Sequence, residues 1–486
     1  MLARARGASL RRSSLSRAFS SFAEGIPHRA AASLARGRTP VRSTRKRRDA
    51  PHTTPLSLPI TMSSASSAGE GVSYSFSSAF DSGNGDLVSA TKDVLTVRMR
   101  EEPFTEKDGR AHFQWFHFRV TGAGGSRLRV VVDNAGDASY PDGWHDYKAF
   151  CSADRRTWRR VQTTSYVEGK LVIDFDPVPS DCVHLAYFVP YHYDQHLDLV
   201  ARAAAAPRGE VTHSTLGTTL DGRPLDCLRF GSPGAWTPET QYAGESAEDA
   251  AAVAHSQSSL TKWEREGGPK RVIWIIGRQH PGESMASWWM EGFVRRLLDP
   301  EDPVARRVLR RAVVYVVPHM NPDGAIRGHL RTNAAGANLN REWGEPSLAE
   351  SPEVYHTRNA MDETGPVDLM LDVHGDEAEP YCFIVGGEGT PGWDERRAEL
   401  QRDFKRAYAR ACPDFQTVFP REYGTAPSGN VVTAKTQVSD RDWSVASCTS
   451  PPACNLSSIP PSFISRSWSS VFVPMHCTSR CSLPYY

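Results

Sequence analysis

No apolar run reaches the roughly 18 residues that a membrane-spanning helix requires. The most apolar stretches, Val272–Ile276 and Ala312–Val317, are cut off at once by Gly, Arg or Pro, so no membrane partner is expected. Excess charge is also missing: 57 Lys+Arg stand against 56 Asp+Glu, a formal net charge of +1 at pH 7. That balance argues against a nucleic-acid binder working through one broad basic surface. The nine cysteines, at 151, 182, 227, 382, 412, 448, 454, 477 and 481, form no CxxC pair and keep no regular interval. A disulfide framework and a cysteine-based zinc site are both excluded on that spacing. What is present is a globular composition, 486 residues with 39% hydrophobic, long enough for two or three domains.

The even charge total conceals an asymmetry. Residues 1–61 hold twelve Arg and one Lys against Glu24 and Asp49, a net of +11, which leaves −10 for the other 425 residues. This Ser- and Ala-rich opening, without an acidic residue before Glu24, has the composition of a mitochondrial or plastid transit peptide. A basic tail, or a true start at Met62, would account for it equally. Residues 1–68 are therefore set aside as a basic disordered segment.

From about Tyr74 to Val200, short apolar or aromatic runs alternate with turn residues, as in FQWFHFRV (113–120), RLRVVVDNAG (127–136), KLVIDFDPVP (170–179) and VHLAYFVPY (183–191). That spacing predicts an antiparallel β-sandwich over residues 74–205. Fifteen of the chain's 46 aromatic residues fall between Phe113 and Tyr193. Such a density forms either core or a ligand-binding face.

After about Leu216 the pattern changes to continuous apolar strands followed by helical stretches. RVIWIIG (271–277), RAVVYVVP (311–318) and VDLMLDVHG (367–375) read as strands buried on both faces, and SMASWWMEGFVRRLLD (284–299) has helical spacing. The expectation is an α/β/α domain over residues 206–447 with a mixed, largely parallel sheet. The polar stretch from Ala235 to Lys270 reads as a surface loop.

Ligand sites of open α/β sheets lie at the carboxyl ends of strands. His280 follows one such strand, Glu283 comes three residues later at a helix start, and His374 closes another strand 94 residues after His280. Two His and one carboxylate form a common ligand set of catalytic zinc, which keeps a fourth position open for water. An HxxE pair alone is weak, since a helix-start Glu is favoured by the helix dipole in any case. The coincidence of all three at strand ends carries the reading. A competing motif, GESMA (282–286), approximates a nucleophile elbow with Ala286 in place of the final Gly and admits a serine hydrolase.

HPGE, NPDG, the run RTNAAGANLNREW and the strand end DVHGDE together resemble the zinc carboxypeptidases, in particular the cytosolic carboxypeptidase-like branch. FDSGN, FQWFHFRV, NAGDASYPDGW and YFVPY are similar to the β-sandwich which that branch places ahead of its catalytic domain. The resemblance implies one zinc ion held by His280, Glu283 and His374. It implies Asn340 and Arg341 as the pair that takes the substrate's terminal carboxylate, with Arg331 beside them. Its reaction would be removal of C-terminal residues from peptides or protein tails, with acidic tails such as polyglutamate as the class suggested. The compartment implied is the cytoplasm, or an organelle if residues 1–61 direct import.

Two departures from the family pattern stand out. Asn338 occupies a position where many members have Asp, a change that leaves a neutral acceptor for a ligand histidine. The family also continues into a strand bearing a general-base glutamate, whereas Glu422 is the last glutamate of this chain and only Asp440 and Asp442 follow. The Ser-, Pro- and Cys-rich residues 448–486 read as translated intron or a shifted frame. The catalytic base is therefore unassigned, and the sheet is expected to lack a wall. Glu377 and Glu379 are the nearby substitutes, expected in an exposed loop. An inactive zinc-binding protein is the alternative function.

Overall fold

Along the strand Arg271–Gly277, Ile273 and Ile275 pack into one hydrophobic cluster while Trp274 and Ile276 pack into another. Alternate side chains of a strand point to opposite faces, so a continuous apolar run requires cover on both. The helices Tyr193–Ala204, Ser284–Leu297, Pro303–Arg311 and Glu395–Ala411 cover one face, and Pro352–Glu363 with the turn Leu339–Arg341 covers the other. This is the expected α/β/α layering.

The computed structural model describes residues 74–105, 111–207, 211–236, 266–377, 382–386, 393–412, 415 and 445–449. The basic opening, most of the Ala235–Lys270 stretch, Glu379, Glu422, Asp440, Asp442 and the tail after Thr449 lie outside them.

The large sheet runs in the order Val211–Thr218, Pro224–Phe230, Ala312–Val317, Arg271–Gly277, Leu369–His374, Val445–Thr449, Phe383–Val385. Its four inner strands from Ala312–Val317 to Val445–Thr449 are mutually parallel, and the flanking pairings are antiparallel. The sheet is therefore mixed with a parallel centre. The expected missing wall is corrected here, because Val445–Thr449 pairs in parallel with Leu369–His374. Ladder bonds come from the backbone, so a segment without the expected glutamate can still take the place beside that strand.

Ahead of this domain, two five-stranded sheets form the sandwich. All pairings are antiparallel except Val94–Arg98 with Leu128–Val132, which run parallel. Of the fifteen aromatic residues from Phe113 to Tyr193, all but Tyr140, Tyr166 and Tyr193 are buried, which assigns them to core and not to a binding face. That core also takes in Met285 and Leu330 of the α/β domain. Sandwich and sheet therefore share one packed seam beside the strand ends. Cys151, Cys182, Cys227, Cys382 and Cys412 are free thiols, and no helix among the described residues is long and apolar enough to cross a membrane.

Candidate metal centre

Past Gly277 the chain turns through Arg278, whose φ of 62° lies in the left-handed region, uncommon for a residue with a side chain. Such strain persists only where the surroundings over-determine it. Here the guanidinium is buried inside its own turn, donating from Nε to the Pro281 carbonyl at 2.6 Å and from an Nη to Ser287 Oγ at 2.9 Å. Burial lowers its pKa to about 10. The turn delivers His280 and then Glu283, which sits at the N-cap of helix Ser284–Leu297. The parallel neighbour Leu369–His374 delivers His374 as its last residue.

Among the described residues, His280, Glu283 and His374 form a group whose ligand atoms lie within 4.8 Å of one another. Glu283 is shared: Oε1 lies 2.7 Å from His280 Nδ1, and Oε2 lies 2.9 Å from His374 Nδ1 and accepts from the Gly375 N–H at 2.8 Å. The outer ring nitrogens are held as well, His280 Nε2 by Asn338 Oδ1 at 3.1 Å and His374 Nε2 by Asp372 Oδ2 at 2.7 Å. Asp372 in turn accepts from Gln279 Nε2 at 2.6 Å, and Trp343 Nε1 fixes Gln279 Oε1 at 2.9 Å. Partners of this kind set the tautomer and aim of metal-ligating histidines. With each Nε2 held by Asn338 or Asp372, both Nδ1 atoms converge on one carboxylate.

Burial pushes His280 down to about 4, with Arg331 and His374 acting in the same direction against Glu283. The neutral imidazole is the form that ligates a metal, and His280 Nδ1 faces the Glu283 carboxylate at 2.7 Å. For His374 burial acts downward too, but the Asp372 and Glu283 carboxylates outweigh it and raise the ring to about 10. Glu283 itself is held below the usual carboxylate range, because the two imidazoles overcome the cost of burying it. Two imidazole nitrogens and one carboxylate suit zinc.

The polar run that follows Ile326 wraps around this centre. Asn340 Nδ2 lies 3.4 Å from His374 Nε2, and Arg341 is exposed next to it. Arg331 is half-buried, with its guanidinium carbon 5.8 Å from the centre of the Tyr140 ring. Gly282 donates to the Leu330 carbonyl at 2.8 Å. A Cβ at Gly282 would stand 2.8 to 2.9 Å from three atoms of Leu330, so the approach requires glycine.

Two expectations are overturned. Ser284 does not form a nucleophile elbow: among the described residues its buried Oγ has no hydrogen-bond partner, and so no histidine bonded to it to take its proton. Glu377 is not an exposed loop carboxylate: it is half-buried against the sandwich, where its carbonyl oxygen would be 2.9 Å from a Cβ at Gly143. Burial raises its pKa to about 8, and the Glu283 and Asp376 charges add to the rise. Asp372 and Gln279 went unassigned in the sequence. The signal for Asp372 is period two, since a residue two before His374 on a strand shares its face.

Residues 198–447 match the zinc carboxypeptidase family, and residues 76–188 match the cytosolic carboxypeptidase N-terminal domain. The chain belongs to the zinc carboxypeptidase family. An uncharacterized protein of Zymomonas mobilis is 41% identical over 363 residues, 75% of this chain and 83% of that protein. The crystal structure of a metallo-carboxypeptidase from Pseudomonas aeruginosa, in complex with (2-guanidinoethylmercapto)succinic acid, is 34% identical. It superposes with a TM-score of 0.64 over 78% of this chain and 90% of that one. Human cytosolic carboxypeptidase 4 is 29% identical over 64% of this chain, but the match spans only 29% of the human protein. In this chain the two family matches are separated by residues 189–197, where helix Tyr193–Ala204 begins.

Proposed function

We propose that His280, Glu283 and His374 hold one zinc ion, and that the site serves zinc-dependent hydrolysis of C-terminal residues from peptides or protein tails. The observation that carries this is the single Glu283 carboxylate shared by two Nδ1 atoms whose Nε2 partners are fixed. Bound there, zinc would polarise the scissile carbonyl and lower the pKa of a water to about 7.

The chain's own residues supply the rest. Arg341 presents a planar fork of donors to the terminal carboxylate, Asn340 adds a neutral donor, and Arg331 adds a second positive charge beside the centre. The Pseudomonas relative carries a ligand with a succinic acid moiety, two carboxylates, in keeping with such a set. The same arginines favour tails with further carboxylates, hence acidic substrates. The cytoplasm is the compartment we assign, after the family of the amino-terminal domain.

Proton transfer is where this chain departs. The strand beside Leu369–His374 is VASCT and carries no glutamate. On that observation a second reading stands: the chain binds zinc and a C-terminal carboxylate but turns over little. Metal analysis of wild type, His280→Ala and His374→Ala, with amino-acid release from free-acid and amidated peptides, tests both readings. Full zinc stoichiometry in both variants would remove the site; release from free acids alone would separate enzyme from inactive binder.

A further inference from the structure

We propose that Glu102, a residue of the β-sandwich, is a positioning residue for Arg331, so that the sandwich forms part of the substrate-binding machinery. The inference rests on the reading above that Arg331 adds a positive charge for the substrate's carboxylates beside Asn340 and Arg341.

Glu102 is 4% exposed, and its backbone is pinned by its own N–H to the His112 carbonyl at 2.9 Å and by Thr105 Oγ1 on its carbonyl at 3.0 Å. Its carboxylate crosses the seam into the α/β domain. Oε1 accepts from the Leu330 and Arg331 N–H groups at 2.7 and 3.0 Å, and Oε2 accepts from the Thr332 N–H at 2.7 Å and Thr332 Oγ1 at 2.6 Å. Four donors from three successive residues thus converge on one carboxylate. Residues 330–332 belong to no helix or strand, so no regular ladder satisfies their amides. Glu102 supplies that satisfaction with charge-assisted bonds.

The sandwich holds the other end of Arg331 as well. Tyr140, over which the guanidinium lies, is itself fixed by Gln114, which accepts from the Tyr140 N–H at 2.7 Å and donates to its carbonyl at 3.0 Å. Backbone and guanidinium of Arg331 are therefore both referenced to the sandwich. A flexible side chain held at root and tip loses less freedom on binding a carboxylate.

Glu102→Gln is the discriminating change, because it keeps the shape while turning an NH2 group toward donors. Zinc-loaded full-length chain would be titrated calorimetrically with a peptide ending in a free carboxylate and with its amide, in wild type, Glu102→Gln, Arg331→Ala and the double variant. The expected result is about a tenfold loss of free-acid affinity in Glu102→Gln, equivalent to about 1.4 kcal/mol. Zinc stoichiometry and amide affinity stay unchanged, and no further loss appears in the Arg331→Ala background. An equal loss in that background, an equal loss for the amide, or no loss at all overturns the inference. If Arg331→Ala alone leaves free-acid affinity intact, the role of Arg331 fails and this inference falls with it. Should Glu102→Gln not fold, Thr332→Val removes one of the four donors. It is expected to give a loss of about threefold with the same dependence on Arg331, and additivity would again refute it.

Discussion

Asp372 Oδ2 lies 2.7 Å from His374 Nε2, buried at the end of a central strand and itself held by Gln279. A carboxylate behind a ligand imidazole raises its basicity and fixes its rotation, and loss of such a partner typically costs about 10- to 100-fold in metal affinity. Asp372→Leu is therefore expected to weaken zinc binding by that order in a competitive chelator titration. Unchanged affinity would show that the pair serves packing alone.

Asn338 provides the converse case on the other imidazole. It accepts from His280 Nε2 at 3.1 Å as a neutral group, and a carboxylate in its place would strengthen that bond. Asn338→Asp should slow zinc loss to a chelator several-fold. Faster loss would mean that the added buried charge outweighs the stronger hydrogen bond.

Much of this centre is legible in the sequence because strand ends are. The runs RVIWIIG and VDLMLDVHG mark where two parallel strands stop, and histidines just past or at those stops share one edge of the sheet. Asp372 could have been read from its period-two relation to His374. Glu102 could not, because the bond it makes joins residues 228 positions apart and depends on how two domains pack. Glu377 reads as exposed for the same reason, since its backbone carbonyl packs beside Gly143 of the sandwich, a contact that only the packing of the two domains makes. The parallel pairing of Val94–Arg98 with Leu128–Val132 was hidden too, as alternation sets which face is buried but not strand direction.

Glu353 lies beneath the loop that carries the arginines. It is buried, its Oε2 accepts from Asn333 Nδ2 at 3.2 Å, and its Oε1 has no hydrogen-bond partner among the described residues. Burial raises its pKa to about 8, so the folded chain keeps it protonated where the unfolded chain ionises it. Its contribution to stability is fully present below about pH 4.5 and is lost as pH rises toward 8, at up to about 1.4 kcal/mol per pH unit. Glu353→Gln removes that slope. Denaturant unfolding from pH 5 to 8 should show the variant gaining on wild type as pH rises, and parallel curves would contradict the burial argument.

Arg341 stands exposed beside Asn340, and a charge-assisted bond from it to a terminal carboxylate is worth about 1.5 kcal/mol. Arg341→Ala should weaken free-acid peptides by roughly tenfold and leave amidated ones alone. Equal binding of acid and amide by the wild type would remove the carboxylate pocket from this loop.

The chain as it stands is expected to hydrolyse peptides at least about a hundredfold more slowly than a family member with a glutamate on the corresponding strand. Attack on the carbonyl needs a group that takes a proton from water and returns it to the departing amine, a task typically worth 10²- to 10⁴-fold. Glu283 is committed to two imidazoles and the Gly375 amide. VASCT restores the sheet position beside His374, yet none of its five side chains is a carboxylic acid. Glu377 is a remaining candidate among the described residues, and its backbone lies beside Gly143 of the sandwich. A misplacement of 1 Å can itself cost about a hundredfold. The measurement is amino-acid release by zinc-loaded chain from peptides ending in acidic, basic and apolar residues, for wild type and Glu377→Gln. Turnover matching the glutamate-bearing relative would refute the expectation, and its loss in Glu377→Gln at unchanged zinc content would identify Glu377 as the base that replaced it.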